Sequence, residues 1–454
     1  MQLVSINPAT ARRIASHRGH SAAEVERAVA RAHAAHLAWR HVPPAIRARR
    51  LRTIGRGLLA RRDELAALAT AEMGKPVRQA RAEVEKSAAA CEFYARHGPD
   101  FLRDEIPPGA PENTRVTYEP LGVVLAIMPW NFPFWQVIRA AIPALMGGNA
   151  FLLKHAPNVP GCARAVEKAF AGADLPPGLF QALLIDPKPV PALLADPRVS
   201  AVTLTGSTAA GRRVAALAGA AMKPGVFELG GSDPALLLAD ADLPRAAETC
   251  ALARLLNSGQ SCICAKRFIV VRSARREFEK LFVARIAARR VGDPADSATD
   301  IGPLARADLR DKLQAQVAAS VRRGARVLLG GAPLPGPGFF YAPTVLTDVR
   351  PGMPAYDEEL FGPVAAIIPV RDEADAIRAA NDTAYGLAAT IFTRSQTRAR
   401  KIVPQLAAGS VFVNDFARSD PALPFGGVKQ SGHGRELGAS GLRAFLNAKT
   451  VWGA

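Results

Sequence analysis

GVVLAIMPWNFPFWQVIRAAIPALMGGNAFLLKHAP, residues 122–157, holds two apolar runs separated by a proline-framed turn and a helical segment. A short apolar run, Val123–Ile127, breaks at the turn Pro129–Pro133, continues as a helix after Pro133 and returns as a second apolar run, Ala150–Leu153. Two short strands that are apolar throughout, joined by a helix, make a βαβ unit, and such units build parallel sheets covered on both faces. The same apolarity does not predict a membrane span. Pro129, Asn131, Pro133, Arg139, Pro143 and Asn149 interrupt it, whereas a bilayer crossing needs about 20 nearly unbroken apolar residues.

Beyond residue 157 the alternation continues: a helix after Pro160, a strand over Ser200–Leu204, a glycine-bounded turn and a helix from about Thr208. A second series of strands and helices runs from about Pro234 to Leu423. Upstream, residues 21–105 read mainly as helix. Ser21 and Glu24 have capping-box spacing, and Ala, Leu, Glu and Arg dominate the residues after them. Pro107, Pro108 and Pro111 end that region, and Thr114–Tyr118 alternates as a strand. The tail, Ala448–Trp452, reads as a strand without a hairpin partner nearby, which predicts pairing with another subunit. No internal repeat or low-complexity linker is present.

A chain of 454 residues exceeds one ordinary core and predicts two or three domains. Its 49% apolar content is that of a soluble globular protein. The N-terminus lacks a basic segment followed by an apolar one, so no secretory signal is expected. Five cysteines, few and odd in number, argue against a disulfide scaffold and for a reducing, cytoplasmic compartment. The net charge of +18 raises nucleic acid, anionic membrane or acidic metabolites as partners. The arginines are spread through helical segments such as residues 45–69 and mixed with acids, without a nucleic-acid motif. The expectation is therefore no nucleic-acid and no membrane partner.

Four local motifs carry chemistry. Asn131, rigidly framed in Pro129-Trp130-Asn131-Phe132-Pro133, is placed to donate to a developing oxyanion, or simply to satisfy a proline-rich turn. Thr205–Gly211 lies between strand and helix, where Gly206, Ser207 and a helix N-terminus suit a phosphate. It is neither a Rossmann fingerprint nor a Walker A loop. Glu228, at an apolar strand end before Gly230-Gly231, is a general base raised by desolvation or a charge facing water. Cys262, in Asn257-Ser258-Gly259-Gln260-Ser261-Cys262-Ile263-Cys264, has the polar, mobile surroundings of a reactive thiol. Cys162 and Cys250 sit in helical apolar stretches and read as inert. No second Cys/His pair accompanies Cys262 and Cys264, so no metal is expected.

These motifs, in this order and spacing, resemble the aldehyde dehydrogenase superfamily. So do Glu358-Glu359-Leu360-Phe361-Gly362-Pro363 and Pro424–Gly432, and the likeness runs from Ile6 to Val451. The resemblance implies an α/β fold of two Rossmann-like parallel-sheet domains plus a small β oligomerisation element. It implies a cofactor-binding domain over 1–105 and 121–230, a catalytic domain over 231–430, and an oligomerisation element from 106–120 and 431–454, in a homodimer or homotetramer.

It also implies an NAD(P)-dependent oxidation in which Cys262 forms a thiohemiacetal and then a thioester, Asn131 holds the oxyanion, Glu228 activates water and Glu436 assists proton movement. Lys154 would bind the adenosine ribose, Gly206 and Ser207 the pyrophosphate, and Glu359 with Phe361 the nicotinamide ribose, while Trp130 and Leu229 pack against the cofactor. At Pro157 the chain departs from NAD users, which commonly carry a glutamate there. That loss, with Lys154 and His155 nearby, predicts use of NADP, with NAD as competitor.

The segments Lys154-His155-Ala156 and Gly230–Asp233 resemble succinate-semialdehyde dehydrogenases, with Arg139, Arg254 and Ser419 as candidate grips on the substrate carboxylate. Cys264, two residues from Cys262, is a candidate redox partner. The alternatives are another semialdehyde or a general aliphatic aldehyde, a cysteine hydrolase, a CoA-acylating relative, or a non-catalytic basic protein on this fold.

Overall fold

The computed structural model describes residues 1–453. The chain begins with an antiparallel hairpin, β1 (Gln2–Asn7) and β2 (Arg12–Arg18), which the apolar periodicity does not announce. Four helices come next: α1 (Ala22–Trp39), α2 (Pro44–Ala60), α3 (Arg62–Met73) and α4 (Val77–Phe101). The capping box at α1 is complete, since Ser21 Oγ accepts from Glu24 N and the Glu24 carboxylate accepts from Ser21 N.

After β3 (Thr114–Pro120) come β4 (Val123–Met128), α5 (Trp135–Met146), β5 (Ala150–His155), α6 (Pro160–Ala171), β6 (Phe180–Ala182), α7 (Val190–Ala195), β7 (Val199–Thr205), α8 (Thr208–Ala220) and β8 (Gly225–Glu228). The second series contains β9 (Pro234–Leu237), α9 (Leu243–Leu255), β10 (Arg267–Val271), β11 (Arg326–Leu329), β12 (Thr344–Thr347), β13 (Val364–Val370), β14 (Ala388–Phe392) and β15 (Ser410–Val413). The tail supplies β16 (Gly432–His433) and β17 (Leu446–Trp452).

Two sheets result. The first has the order β16-β8-β7-β4-β5-β6 and is parallel except at β16; the second has the order β11-β12-β13-β10-β9-β14-β15 and is parallel except at β11. Helices cover both faces, which is why β5 and β10 are buried along their whole length and read as continuous apolar runs. Each sheet anchors its own core, one around Val124, Leu152 and Val202, the other around Ile269, Ile367 and Ile391.

The C-terminal segment departs from the expected arrangement in two ways. β17 pairs antiparallel with β3 of the same chain, Leu446 opposite Pro120 through Trp452 opposite Thr114, so the tail strand is not an orphan. Its partner lies more than 300 positions upstream, beyond any hairpin search. β16 instead extends the first sheet, placing Gly432 opposite Glu228, and Leu437, Leu442 and Phe445 join the first core.

Candidate active site

In the first sheet β4, β5 and β6 advance to one side while β7 and β8 lie on the other, so the strand order reverses between β4 and β7. Ligands of open parallel sheets bind in the crevice outside the carboxyl ends at such a point. β4 ends there in Pro129–Pro133, and β7 ends there in Gly206-Ser207 at the start of α8. The opposite wall comes from the amino ends of the second sheet: Gly230-Gly231 before β9, the Cys262 loop before β10 and Glu358–Phe361 before β13.

A cleft of about 490 Å³ fills this crevice, with Trp130, Asn131, Gly206, Ser207, Leu229 and Glu359 in its walls. A second cavity of about 200 Å³ is walled by Phe132, Trp135, Arg139, Ile263, Ser419 and Phe425. Cys262 and Gln136 line both. The thiol therefore stands between two compartments of different character.

The Cys262 loop is held by many bonds, which its Gly, Gln and Ser do not announce. Asn257, Ser258 and Gly259 all have left-handed φ (53°, 56° and 74°), a strained run that persists only where surroundings enforce it. The enforcement is visible. Lys266 Nζ donates to the carbonyls of Ser261 (3.0 Å), Cys262 (2.8 Å) and Cys264 (3.1 Å). Ser258 Oγ accepts from Gly302 N, and Gln260 Oε1 accepts from Ala305 N, each at 2.9 Å. A Cβ at position 259 would stand 2.3 Å from the Gly362 carbonyl oxygen, so only glycine fits.

Burial pushes the Cys262 thiol up to about 12, opposed by Arg139 and Lys266 and reinforced by Glu359 and Asp233. Asn131 Nδ2 donates to the Gln260 carbonyl (3.1 Å), and Asn257 Nδ2 donates to the carbonyls of Asn131 (2.7 Å) and Gln260 (3.1 Å). This ties the Asn131 turn to the cysteine loop and leaves the second Nδ2 hydrogen of Asn131 uncommitted.

Glu228 ends β8 but lies on neither cavity wall. Both of its carboxylate oxygens are buried without a partner. Burial and the neighbouring Glu436 hold its carboxyl well above the usual range, against the pull of Arg139 and Arg435. Glu436 is also raised by burial, while Arg139, its ion-pair partner, pulls it down. These three side chains form one charge cluster, of which Arg139 lines the cavity that the thiol also lines.

In the larger cleft, Ser207 caps α8, its Oγ accepting from Ala210 N, which leaves the hydroxyl proton to donate. Glu359 Oε1 accepts from Gly231 N (3.0 Å), and a Cβ at Gly230 would collide with the Glu359 carboxylate at 2.6 Å. Trp130 and Phe361 meet edge to face, centroids 5.8 Å apart. Lys154 is buried at the end of β5, outside the main cleft wall, its ammonium pulled down by burial and supported by Asp186; Pro157 is exposed beyond it.

Several expectations are corrected. His155 cannot favour a phosphate. It is buried, with Nε2 bonded to the Pro133 carbonyl and Nδ1 accepting from Ala156 N, and burial brings it down to about 4, so it is neutral. Arg254 is no substrate grip. It is fully buried (0% exposed), lines neither cavity and spends its guanidinium on the carbonyls of Ala265 (3.1 Å), Gly259 and Gly362 (2.7 Å). Arg139 does line the second cavity, but it is already paired with Glu436 and stacked on Phe425. Cys264 is buried with its thiol on the Leu256 carbonyl (3.5 Å), and both it and Cys262 are free thiols.

Sequence reasoning missed Lys86, Gln136 and Lys266. Lys86 and Gln136 are ordinary helix residues in sequence, and only the packing of α4 against α5 brings them to the cavity. Glu83 was missed as well. Buried against Lys75, it accepts from Phe134 N (2.8 Å) and Trp135 N (3.0 Å), anchoring the start of α5.

The sequence profile of the aldehyde dehydrogenase family matches residues 1–451. The chain is 48% identical to a succinate semialdehyde dehydrogenase [NAD(P)+] of Escherichia coli over 451 residues, covering 99% of this chain and 97% of that protein. It is 47% identical to a succinate-semialdehyde dehydrogenase [NADP(+)] of Mycobacterium avium, covering 100% and 97%. Among solved structures it superposes on the succinic semialdehyde dehydrogenase of Streptococcus pyogenes in complex with NADP+, with a TM-score of 0.97, 33% identity and 99% of both chains covered.

Proposed function

The chain belongs to the aldehyde dehydrogenase family, and from that premise we propose that it oxidises succinate semialdehyde to succinate with NADP or NAD. The observation that carries this is the position of Cys262, the one nucleophile shared by a cleft suited to a dinucleotide and a cavity suited to a short aldehyde. The cleft fits a nicotinamide dinucleotide on its own features: a helix N-terminus with a spare hydroxyl at Ser207, a carboxylate at Glu359 approached through side-chain-free Gly230, and apolar walls at Trp130, Leu229 and Phe361.

The Cys262 thiolate adds to the aldehyde carbon, and the resulting oxyanion takes the free Asn131 Nδ2 hydrogen and the Cys262 backbone N–H. One such donor is worth a factor of about 10²–10³ in rate. The nicotinamide, when bound, supplies the hydride acceptor that leaves a thioester on the sulfur. Glu228 takes a proton from the water that cleaves the thioester, a contribution of about 10²–10⁴, and Glu436 with Arg139 sets its proton affinity. The balance is aldehyde, water and oxidised nicotinamide going to carboxylate, reduced nicotinamide and two protons.

The same reading includes a cytoplasmic homodimer or homotetramer. All five cysteines are free, and the β3–β17 ribbon ends in Trp452, 71% exposed. The test is the Cys262→Ser variant, assayed for reduced nicotinamide with succinate semialdehyde. Turnover should vanish while circular dichroism stays unchanged. A variant that converts the aldehyde at the normal pace sinks the proposal.

A further inference from the structure

The second cavity holds four basic or acidic side chains besides the thiol: Glu83, Lys86, Arg139 and Arg418. Three already have charge partners. Glu83 pairs with Lys75, Arg139 with Glu436, and Arg418, which is exposed, with Asp415 at 2.8 Å. Lys86 has none. Among the described residues no carboxylate lies within ion-pair distance of its ammonium, which rests over the Trp135 ring (4.4 Å to the centroid) and donates one hydrogen bond, to Ser419 Oγ at 2.9 Å. A half-buried ammonium facing an otherwise largely apolar chamber is costly unless an anion joins it.

Ser419 points to the same conclusion through its hydrogen-bond count. A hydroxyl accepts through two lone pairs and donates one proton. Ser419 Oγ already accepts from Lys86 Nζ and from Trp135 Nε1 (3.2 Å), so both lone pairs are taken and its proton is left to donate. Lys86 likewise has ammonium hydrogens to spare. Two adjacent donors on the wall of a cavity that the Cys262 thiol also lines suit a short chain bearing both a carboxylate and an aldehyde.

We propose that Lys86, with Ser419 oriented by Trp135, is the residue pair that captures the substrate carboxylate and so selects semialdehydes over uncharged aldehydes. This rests on the function proposed above and shifts the selecting cation from Arg139 to Lys86. Arg139 contributes to the field but is committed to Glu436. A lysine suits the position because its ammonium rests over the Trp135 ring and still reaches Ser419 Oγ.

Charge on Lys86 is adjustable. Burial lowers its affinity for the proton to a pKa of about 8, with Arg139 and Arg418 lowering it further and Asp420 and Glu83 raising it. A group lowered in this way is charged below about pH 8 and loses its charge as the pH rises through that value. Selection should fade over the same range.

The experiment compares kcat/KM for succinate semialdehyde and for butanal, its uncharged four-carbon counterpart, in the full-length wild type, Lys86→Met and Lys86→Arg. In Lys86→Met the semialdehyde value should fall about 10- to 100-fold, the span of one or two charge-assisted hydrogen bonds, mostly through KM, with butanal within about twofold. Lys86→Arg should recover part of the loss. In the wild type the ratio of the two substrates should decline above about pH 8, and in Lys86→Met it should be flat. Equal losses for both substrates, or an unchanged ratio, overturn the assignment. A wild type that does not prefer the semialdehyde defeats the underlying functional reading instead, a distinguishable result. Should Lys86→Met fold poorly, the wild-type pH series decides alone.

Discussion

Arg139 and Glu436 form an ion pair with side chains only 2% and 4% exposed. Arg139 comes from α5 and Glu436 from the C-terminal segment that joins the first core, so the pair staples two parts of the chain that are distant in sequence. Breaking one half of a buried pair strands the other charge, at a cost of about 3–5 kcal/mol, whereas replacing both is far milder. Arg139→Met should therefore lower unfolding free energy by about that amount, and Arg139→Met/Glu436→Gln should regain most of it. Denaturant titration of the two singles and the double closes the cycle. A single-variant loss under about 1 kcal/mol would contradict the geometry.

Glu228 titrates in this same cluster. Its carboxyl is raised by burial and by Glu436, so it holds its proton to higher pH than an exposed glutamate and becomes a base only as the pH rises. Thioester hydrolysis should climb with pH accordingly. Glu436→Gln removes the like charge, so the climb should move to lower pH. Glu228→Gln should form reduced nicotinamide in a single burst of about one equivalent per thiol and then slow by about 10²–10⁴, with the acyl group recoverable on the Cys262 peptide. Steady turnover without a burst would remove Glu228 from the hydrolytic step.

The fold was largely legible because its strands are continuous apolar runs between turn signals: Val123–Ile127 in sequence became Val123–Met128 in structure. What escaped depends on contacts remote in sequence. Nothing near Ala448–Trp452 indicates that its partner is Thr114–Pro120. The motif-bearing turns were legible as turns: Asn131 and Gly206 follow the carboxyl ends of β4 and β7, where parallel sheets place ligands, whereas Cys262 and Glu359 sit in loops that precede β10 and β13. Charged residues inside helices were not. Arg139, Arg254 and Lys86 look alike in sequence, and only packing assigns the first to Glu436, the second to backbone carbonyls and the third to a cavity wall.

Arg254 spends its guanidinium on backbone carbonyls that hold the strained 257–259 run against the loop before β13. A shorter fork cannot serve those acceptors, and each buried carbonyl left bare costs about 1–3 kcal/mol. Arg254→Lys should thus destabilise the protein by several kcal/mol and lower kcat for every aldehyde alike, since the Cys262 loop loosens. Thermal unfolding together with a panel of charged and neutral aldehydes checks this. A selective rise in KM for semialdehydes alone would return Arg254 to the substrate site.

The proposed preference for NADP is testable at the end of β5. With Pro157 in place of a carboxylate, nothing at that position repels a 2′-phosphate, and Lys154 is the cation closest to it in sequence. His155 adds none, being neutral and bonded on both ring nitrogens. NADP should therefore give the higher kcat/KM. Lys154→Met should lower the NADP value by about tenfold or more, the worth of one charge-assisted contact, and the NAD value much less. Pro157→Glu should turn the preference toward NAD by placing a carboxylate where the 2′-phosphate would sit. The energetic reason is asymmetric: a new like charge repels NADP while offering ribose hydroxyls of NAD an acceptor. Kinetics of the three proteins with both cofactors decide the matter, and a wild type favouring NAD more than about tenfold, a gap near 1.4 kcal/mol, would show that another group reads the ribose.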